Sequence, residues 1–306
     1  MTTAGPLLAL KVDVDTFRGT REGAPRLAGL LSARGGGATF LFSVGPDHTG
    51  RALRRVLRPG FVRKVSRTSV LEHYGLRTLL YGTVLPGPHI GRKCAAQMRA
   101  VRDAGFEVGL HTYDHVKWQD FVASRDAEWT ELEMRRGIAA FGEVFGEPPR
   151  VHGAAGWQMN DAAFAAEARM GFDYASDTRG RAPFIPDVPG AAACAQVPTT
   201  LPTMDELIGV DGASPRDAVC RLLELTAAPP ETGHVYTLHA ELEGGRLLPF
   251  FSMLLDGWTA QGYRFVSLRQ LLNAASGAHA LPLRRVAQAA IPGRSGLVSL
   301  EGAPAA

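Results

Sequence analysis

The sequence has no apolar run long enough to cross a bilayer, no paired cysteine motif and no strong excess of either charge. Each absence narrows the field. The apolar stretches fall short of the roughly 18 residues that a spanning helix needs. The three cysteines, Cys94, Cys194 and Cys220, form no Cys-x-x-Cys pair, and their odd number makes a poor disulfide framework. That suits a reducing compartment. A net charge of +3 over 306 residues is too mild to argue for nucleic acid by itself. Residues 1–10 place no basic segment ahead of their short apolar run, which leads straight into Lys11 and Asp13, so they do not read as a secretory signal. What is present is ample core material, with 45 % apolar against 21 % charged residues. The expected setting is cytoplasmic, free or on a membrane surface.

Short apolar runs alternate with longer amphipathic stretches. Leu7 to Val12, Ala38 to Val44 and Phe106 to Leu110 read as buried strands. Shorter strands are expected near Val151, Phe172 to Ser176, Gln196 to Thr199, Val235 to His239 and Tyr263 to Val266. Helices are expected over Arg21 to Arg34, about 90–104 and about 124–145. Strands alternating with helices predict an α/β fold with a parallel sheet. Seven or eight repeats in this length fit a (β/α) barrel better than an open sheet. The expected organisation is one domain over 1–275, with an insertion at about 48–85 and an Ala/Gly/Pro-rich tail over 276–306 that reads as a loop or strap.

In such a barrel, functional groups gather where strands end. Asp13 and Asp15 close the first strand, His111 follows the third, and Asp177 and His239 follow two later ones. Asp13 and Asp15 point to the same side, because strand side chains alternate, and they repel unless a cation or proton lies between them. His111 and His115 are four apart, a spacing that lets both imidazoles reach one ion. Alone, a His-x-x-x-His pair is as readily structural, and the aspartates as readily cap a loop. Together, Asp15, His111 and His115 form a mixed nitrogen and oxygen set for zinc or another divalent transition ion, with positions left open for water and substrate. Asp13 then stands beside the ion as a base and His239 across the rim as an acid. That is a complete kit for hydrolysing an amide. Asp177 either orients His239 or turns the chain ahead of Gly180, and Glu241 and Glu243 read equally as rim or structural residues.

With Asp13-Val14-Asp15, His111–His115 and Leu238-His239 as its motifs, the chain resembles the polysaccharide deacetylase (NodB-homology) family. The resemblance implies a distorted (β/α) barrel of about seven parallel strands with a metal (zinc, cobalt, manganese or nickel) at its rim. The blocks Asp13 to Gly23, Phe42 to Asp47, Ala154 to Trp157, Ser176 to Gly180 and Leu238 to Gly244 are similar to one branch of it. That branch deformylates a formamido-arabinose on an undecaprenyl phosphate carrier, releasing formate and an amino sugar that decorates lipid A and resists polymyxin. It implies a place on the cytoplasmic face of the inner membrane. The likeness spans about residues 8 to 296. The chain departs from the wider family at Val14, which separates the aspartates, and at Val151 to Trp157, where no arginine stands to orient the base. Arg18, Arg21 and Arg179 are the candidates for that role, and Trp157 is expected to wall the pocket.

Residues 51–67 carry seven basic side chains and no acid, interleaved with Leu53, Val56, Leu57, Phe61, Val62 and Val65. They read as a solvated helix face, a phosphate-binding patch or a contact with an anionic membrane surface, and a polyprenyl-phosphate substrate favours the last. No aromatic stacking pattern accompanies the charges, which argues against nucleic acid. The rival functions are an oligosaccharide N-deacetylase of the same family and a non-catalytic sugar-lipid binding protein. Formate against acetate release separates the first, and any turnover excludes the second.

Overall fold

A computed structural model describes residues 5–52, 76–278, 280–294 and 296–305. Its strands are β1 (Leu7–Val14), β2 (Thr39–Ser43), β3 (Glu107–Thr112), β4 (Val151–His152), β5 (Tyr174–Ala175), β6 (Ile185–Pro186), β7 (Ala195–Gln196), β8 (His234–His239), β9 (Arg264–Val266), β10 (Leu283–Ala289) and β11 (Val298–Pro304). Seven of them form a parallel sheet in the order β7-β5-β4-β3-β2-β1-β8, and β9 pairs with the first half of β1. Helices follow the strands: α1 (Ala24–Ser32), α2 (Ile90–Asp103), α3 (His115–Phe121), α4 (Ala127–Phe145), α5 (Asp161–Met170), α6 (Pro215–Leu225), α7 (Leu248–Ala260) and α8 (Leu268–Ala278). The result is the distorted barrel expected from the alternation. No strand pair joins β7 to β8 among the described residues. Their seam is crossed by residues 199–201, with Thr200 N donating to Val235 O at 3.1 Å and the Thr199 and Thr237 hydroxyls 2.7 Å apart.

The alternation of β1 explains where the chemistry stands. Leu8, Leu10, Val12 and Val14 face outward and pack with Leu27 and Leu31 of α1 and Met98 of α2. Each such burial contributes about 1.5–3 kcal/mol. Ala9 faces inward and joins Leu41, Val151, Tyr174, Val197 and Val235 in an apolar floor. Two residues on, Lys11 is also inward, and two further on, Asp13 reaches the rim. The neighbouring β8 keeps step, pairing Val235, Thr237 and His239 with Ala9, Lys11 and Asp13. An apolar layer, a cationic layer and an acidic rim with His239 are thus stacked along one barrel.

The long helix expected over about 124–145 is α4, which begins at Ala127 because the Asp126 side chain accepts the Trp129 amide at 2.9 Å and caps it. Such a cap is worth about 1 kcal/mol. The tail is not a loop: α8 runs to Ala278, and β10 and β11 form an antiparallel hairpin that pairs with β6. The hairpin is docked through Arg179, whose amide donates to Ser299 O at 2.9 Å and whose carbonyl accepts from the Glu301 amide at 2.8 Å. Backbone bonds hold it, so apolar patterning does not mark it. Of the basic stretch 51–67, residues 53–67 lie outside the described residues, and the described ends of the insertion are 48–52 and 76–85. Among the described residues, no helix is long and apolar enough to cross a membrane.

Candidate active site

The two histidines reach each other across a strand-to-helix turn rather than along one helix. His111 lies near the end of β3, and Asp114 caps α3 by accepting the Lys117 amide at 3.1 Å, which makes His115 the first helical residue. Their rings lie 5.2 Å apart, both facing Asp15. Asp15 Oδ1 is 3.2 Å from His111 Nε2, and Oδ2 is 3.4 Å from His115 Nε2. Two ligands each about 2.1 Å from a tetrahedral ion stand roughly 3.4 Å apart, so the spacing fits a shared cation. His111 Nδ1 donates to Gly153 O at 2.5 Å, which leaves the Nε2 lone pair for the ion. Asp15 Oδ1 and Asp13 Oδ1 are buried with no hydrogen-bond partner among the described residues. Burial raises the pKa of Asp15, but His115 and His111 outweigh it and hold the carboxyl well below the usual range. An anionic, unsatisfied oxygen beside two imidazoles is a donor set for a divalent transition ion.

Asp13 is 3 % exposed, and the cation beside it is Lys11, with Nζ 3.4 Å from Oδ2. Lys11 is completely buried; its ammonium donates to Ser176 O at 2.8 Å and stands 5.3 Å from the Trp157 ring. Sequence reasoning missed it, although a lysine two residues before an aspartate on one strand must share its face. His239 lies opposite Asp13 on β8. Burial lowers its pKa, but Asp205, Asp15, Glu243 and Asp13 together raise it above the ordinary value. The acid beside its Nδ1 is Asp205, with Oδ1 at 3.9 Å, steadied by a 2.6 Å bond from Thr203 Oγ1. Glu243 accepts the His239 amide at 2.9 Å, and burial pushes its own carboxyl up to about 7. Glu241 braces the first motif from below. Its Oε1 accepts from the Asp15 and Thr16 amides at 3.1 and 2.8 Å and from the Thr16 hydroxyl at 2.8 Å. Burial and the Asp15 charge push Glu241 up to about 8. Only a glycine fits above it, since a Cβ on Gly19 would stand 1.9 Å from Oε1.

Other expected residues stand elsewhere. Asp177 does not meet His239. It is wholly buried, 3.0 Å from His152 Nδ1, and accepts from the Ala154 amide at 2.6 Å and from Gln196 Nε2 at 2.9 Å. Its proximity to His239 along the rim was inferred from strand order, but its side chain turns towards β4 and β7. Arg179 is not beside Asp13 either. It binds Glu206 through Nη1 at 2.8 and 3.0 Å and stacks 4.8 Å from Trp157. Arg18 and Arg21 both pair with Glu22 on the turn after the first motif. Trp157 is 1 % exposed and so is more spacer than open wall, held in a positive-φ turn with Gly156. Its indole donates to Thr199 Oγ1 at 3.2 Å, and Arg294 of the C-terminal hairpin lies 4.4 Å from its ring.

Residues 3–175 match the family model described as polysaccharide deacetylase. The chain is 37 % identical over 292 residues to a protein of Shewanella sediminis (strain HAW-EB3) named probable 4-deoxy-4-formamido-L-arabinose-phosphoundecaprenol deformylase ArnD, covering 95 % of this chain and 93 % of that one. A protein of the same name from Wigglesworthia glossinidia brevipalpis is 29 % identical, with 92 % and 98 % covered. Among solved structures, a putative polysaccharide deacetylase from Mycobacterium smegmatis aligns with a TM-score of 0.61 at 17 % identity, over 95 % of this chain and 97 % of that one. PuuE allantoinase aligns with a TM-score of 0.61 at 15 % identity, over 91 % and 93 %. At these identities the two structures share the fold. The model match and the near full-length relative together show that the chain belongs to the polysaccharide deacetylase family.

Proposed function

We propose that this hydrolase of amide bonds removes the formyl group from 4-deoxy-4-formamido-L-arabinose on undecaprenyl phosphate, releasing formate and the 4-amino sugar lipid. The observation that carries the reading is similarity along almost the whole chain to a protein bearing that activity in its name. The rim geometry supports it. Asp15, His111 and His115 would hold a divalent ion, which would supply Lewis acidity toward the formyl carbonyl and toward water. Asp13 accepts the proton of the attacking water, within a carboxylate that Lys11 steadies from inside the barrel. His239, kept charged by the surrounding acids, returns a proton to the departing nitrogen. Asp205 lies on the Nδ1 side, so Nε2 is the nitrogen left to deliver it. Trp157 spaces the cations Lys11 and Arg179 apart behind the site. Residues 51–67 bring the enzyme to an anionic membrane surface at the cytoplasmic face of the inner membrane, where the carrier lipid resides.

Mass spectrometry of the formamido sugar lipid tests the reading. Incubation with the protein should remove one formyl group and release formate, and a chelator should abolish the loss. Release of acetate from N-acetylated oligosaccharides, with the formamido lipid left intact, would replace it with the deacetylase reading.

A further inference from the structure

We propose that a cavity beside the metal rim, lined by Phe17, Arg18, Arg21, Glu22, Arg77 and Tyr81, receives the phosphodiester that joins the sugar to its lipid carrier. The inference rests on the function proposed above and names a part of the substrate site that the catalytic residues leave open. The cavity measures about 330 Å³. Its position is set by the first motif, because Phe17 is two residues beyond Asp15 and its amide is pinned to Asp47 Oδ2 at 2.9 Å. A group on C4 and a phosphate on C1 stand at opposite ends of a pyranose ring. The phosphate must therefore be received one sugar width from the metal, on the same rim.

The charge is right for an anion. Three guanidiniums and one carboxylate line the cavity. Glu22 bonds both Arg18, at 3.3 Å, and Arg21. The Arg21 hydrogen bond holds the Glu22 carboxyl below its usual range, so it stays ionised and orders both arginines, offsetting one of the three positive charges that line the cavity. Arg21 is further fixed over the Phe17 ring, 5.3 Å from its centre. Arg77 lines the cavity from a second wall, the short helix Leu76–Leu80 at the end of the insertion, and is exposed. A phosphodiester between the two walls takes charge-assisted, fork-shaped bonds from both, a geometry that guanidinium suits better than ammonium. Leu76, 66 % exposed on the same helix, offers the first isoprene unit an apolar contact as the chain leaves the cavity.

The test uses the metal-loaded full chain, with Arg77→Glu and Arg21→Glu as variants. Two substrates carry the same formamido sugar: one is linked through phosphate to the lipid, and the other is a neutral methyl glycoside. Each variant should raise KM for the phosphate-linked substrate at least about tenfold, with kcat and the methyl glycoside kinetics held within about twofold. Calorimetry with farnesyl phosphate, without vesicles, reads the subsite with no turnover; each variant should bind it at least about tenfold more weakly than wild type. No binding by the wild type, or equal binding by all three proteins, overturns the subsite. A wild type that deformylates neither substrate overturns the proposed function instead, and the farnesyl phosphate titration still decides the subsite.

Discussion

Two clusters in this protein are built from the same side-chain types and do opposite work. Asp15, His111 and His115 stand at the rim; His152, Glu167 and Asp177 lie wholly buried between β4, β5 and α5. Both bring their donor atoms within reach of a single ion. In the rim cluster, a carboxylate oxygen has no hydrogen-bond partner among the described residues. In the buried cluster, all four carboxylate oxygens have one. His152 Nδ1 lies 2.7 Å from Glu167 Oε1 and 3.0 Å from Asp177 Oδ1, and Gln196 Nε2 donates to Glu167 Oε2 at 3.3 Å and Asp177 Oδ2 at 2.9 Å. Burial and the neighbouring Asp177 charge push Glu167 well up, towards the neutral form. Burial pulls His152 down, but Asp177 and Glu167 overcome it and raise its pKa to about 10. One imidazolium, one carboxylate and one carboxylic acid thus close a neutral network that needs no ion. Ligand-type residues alone do not make a metal site; unsatisfied oxygens beside open ring nitrogens do.

The sharpest way to break this comparison is to remove one acid from each cluster. Asp15→Ala should lose metal by elemental analysis and at least about 10³-fold in turnover, with thermal stability close to wild type. Asp177→Ala should instead cost roughly 3–5 kcal/mol in denaturant unfolding, because it strands a buried imidazolium. Exchanged phenotypes would overturn the assignment of roles. A smaller effect is expected at Lys11, which touches the rim from within the barrel. Lys11→Met should lower kcat by about 10–100-fold while metal content and KM stay near wild type. Unchanged kcat would mean that Asp13 needs no cation behind it.

The smallest expected effect is a pH dependence of stability. The folded pKa of His152 is raised from 6.5 to about 10, so its contribution is complete below about pH 6.5 and is lost as pH climbs through about 10. The melting temperature should fall across that window, on the order of a few degrees. A His152→Gln variant that still folds should show a flatter profile, and a wild-type curve flat to pH 10 would count against a charged His152.

Much of the rim was legible because it follows from strand period alone. Asp13 and Asp15 share a face, His239 ends the strand beside theirs and His111 lies near the end of the strand two away, so strand ends alone bring these groups to one rim. Side chains that depend on packing direction were not legible. Asp177 ends a strand like the others, yet its carboxylate is drawn down to His152 and the Ala154 amide. Asp205 sits in a short capped turn with no motif around it, and only the fold carries it to His239. Lys11 was hidden inside an apolar run, although its spacing from Asp13 held the clue. The hairpin of β10 and β11 was invisible because few of its side chains are buried and its order comes from backbone pairing.

That hairpin has a consequence for biosynthesis. Arg294 reaches Trp157 and bonds Glu206 Oε1 at 3.2 Å, while Ser299 and Glu301 clamp the backbone at Arg179. The proposed metal ligands and proton-transfer residues all precede residue 240, but the support behind Trp157 leaves the ribosome after them. A nascent chain can therefore assemble its ion-binding rim before the wall behind it is buttressed, and maturation of the enzyme becomes a contact of high sequence separation, closed late in folding.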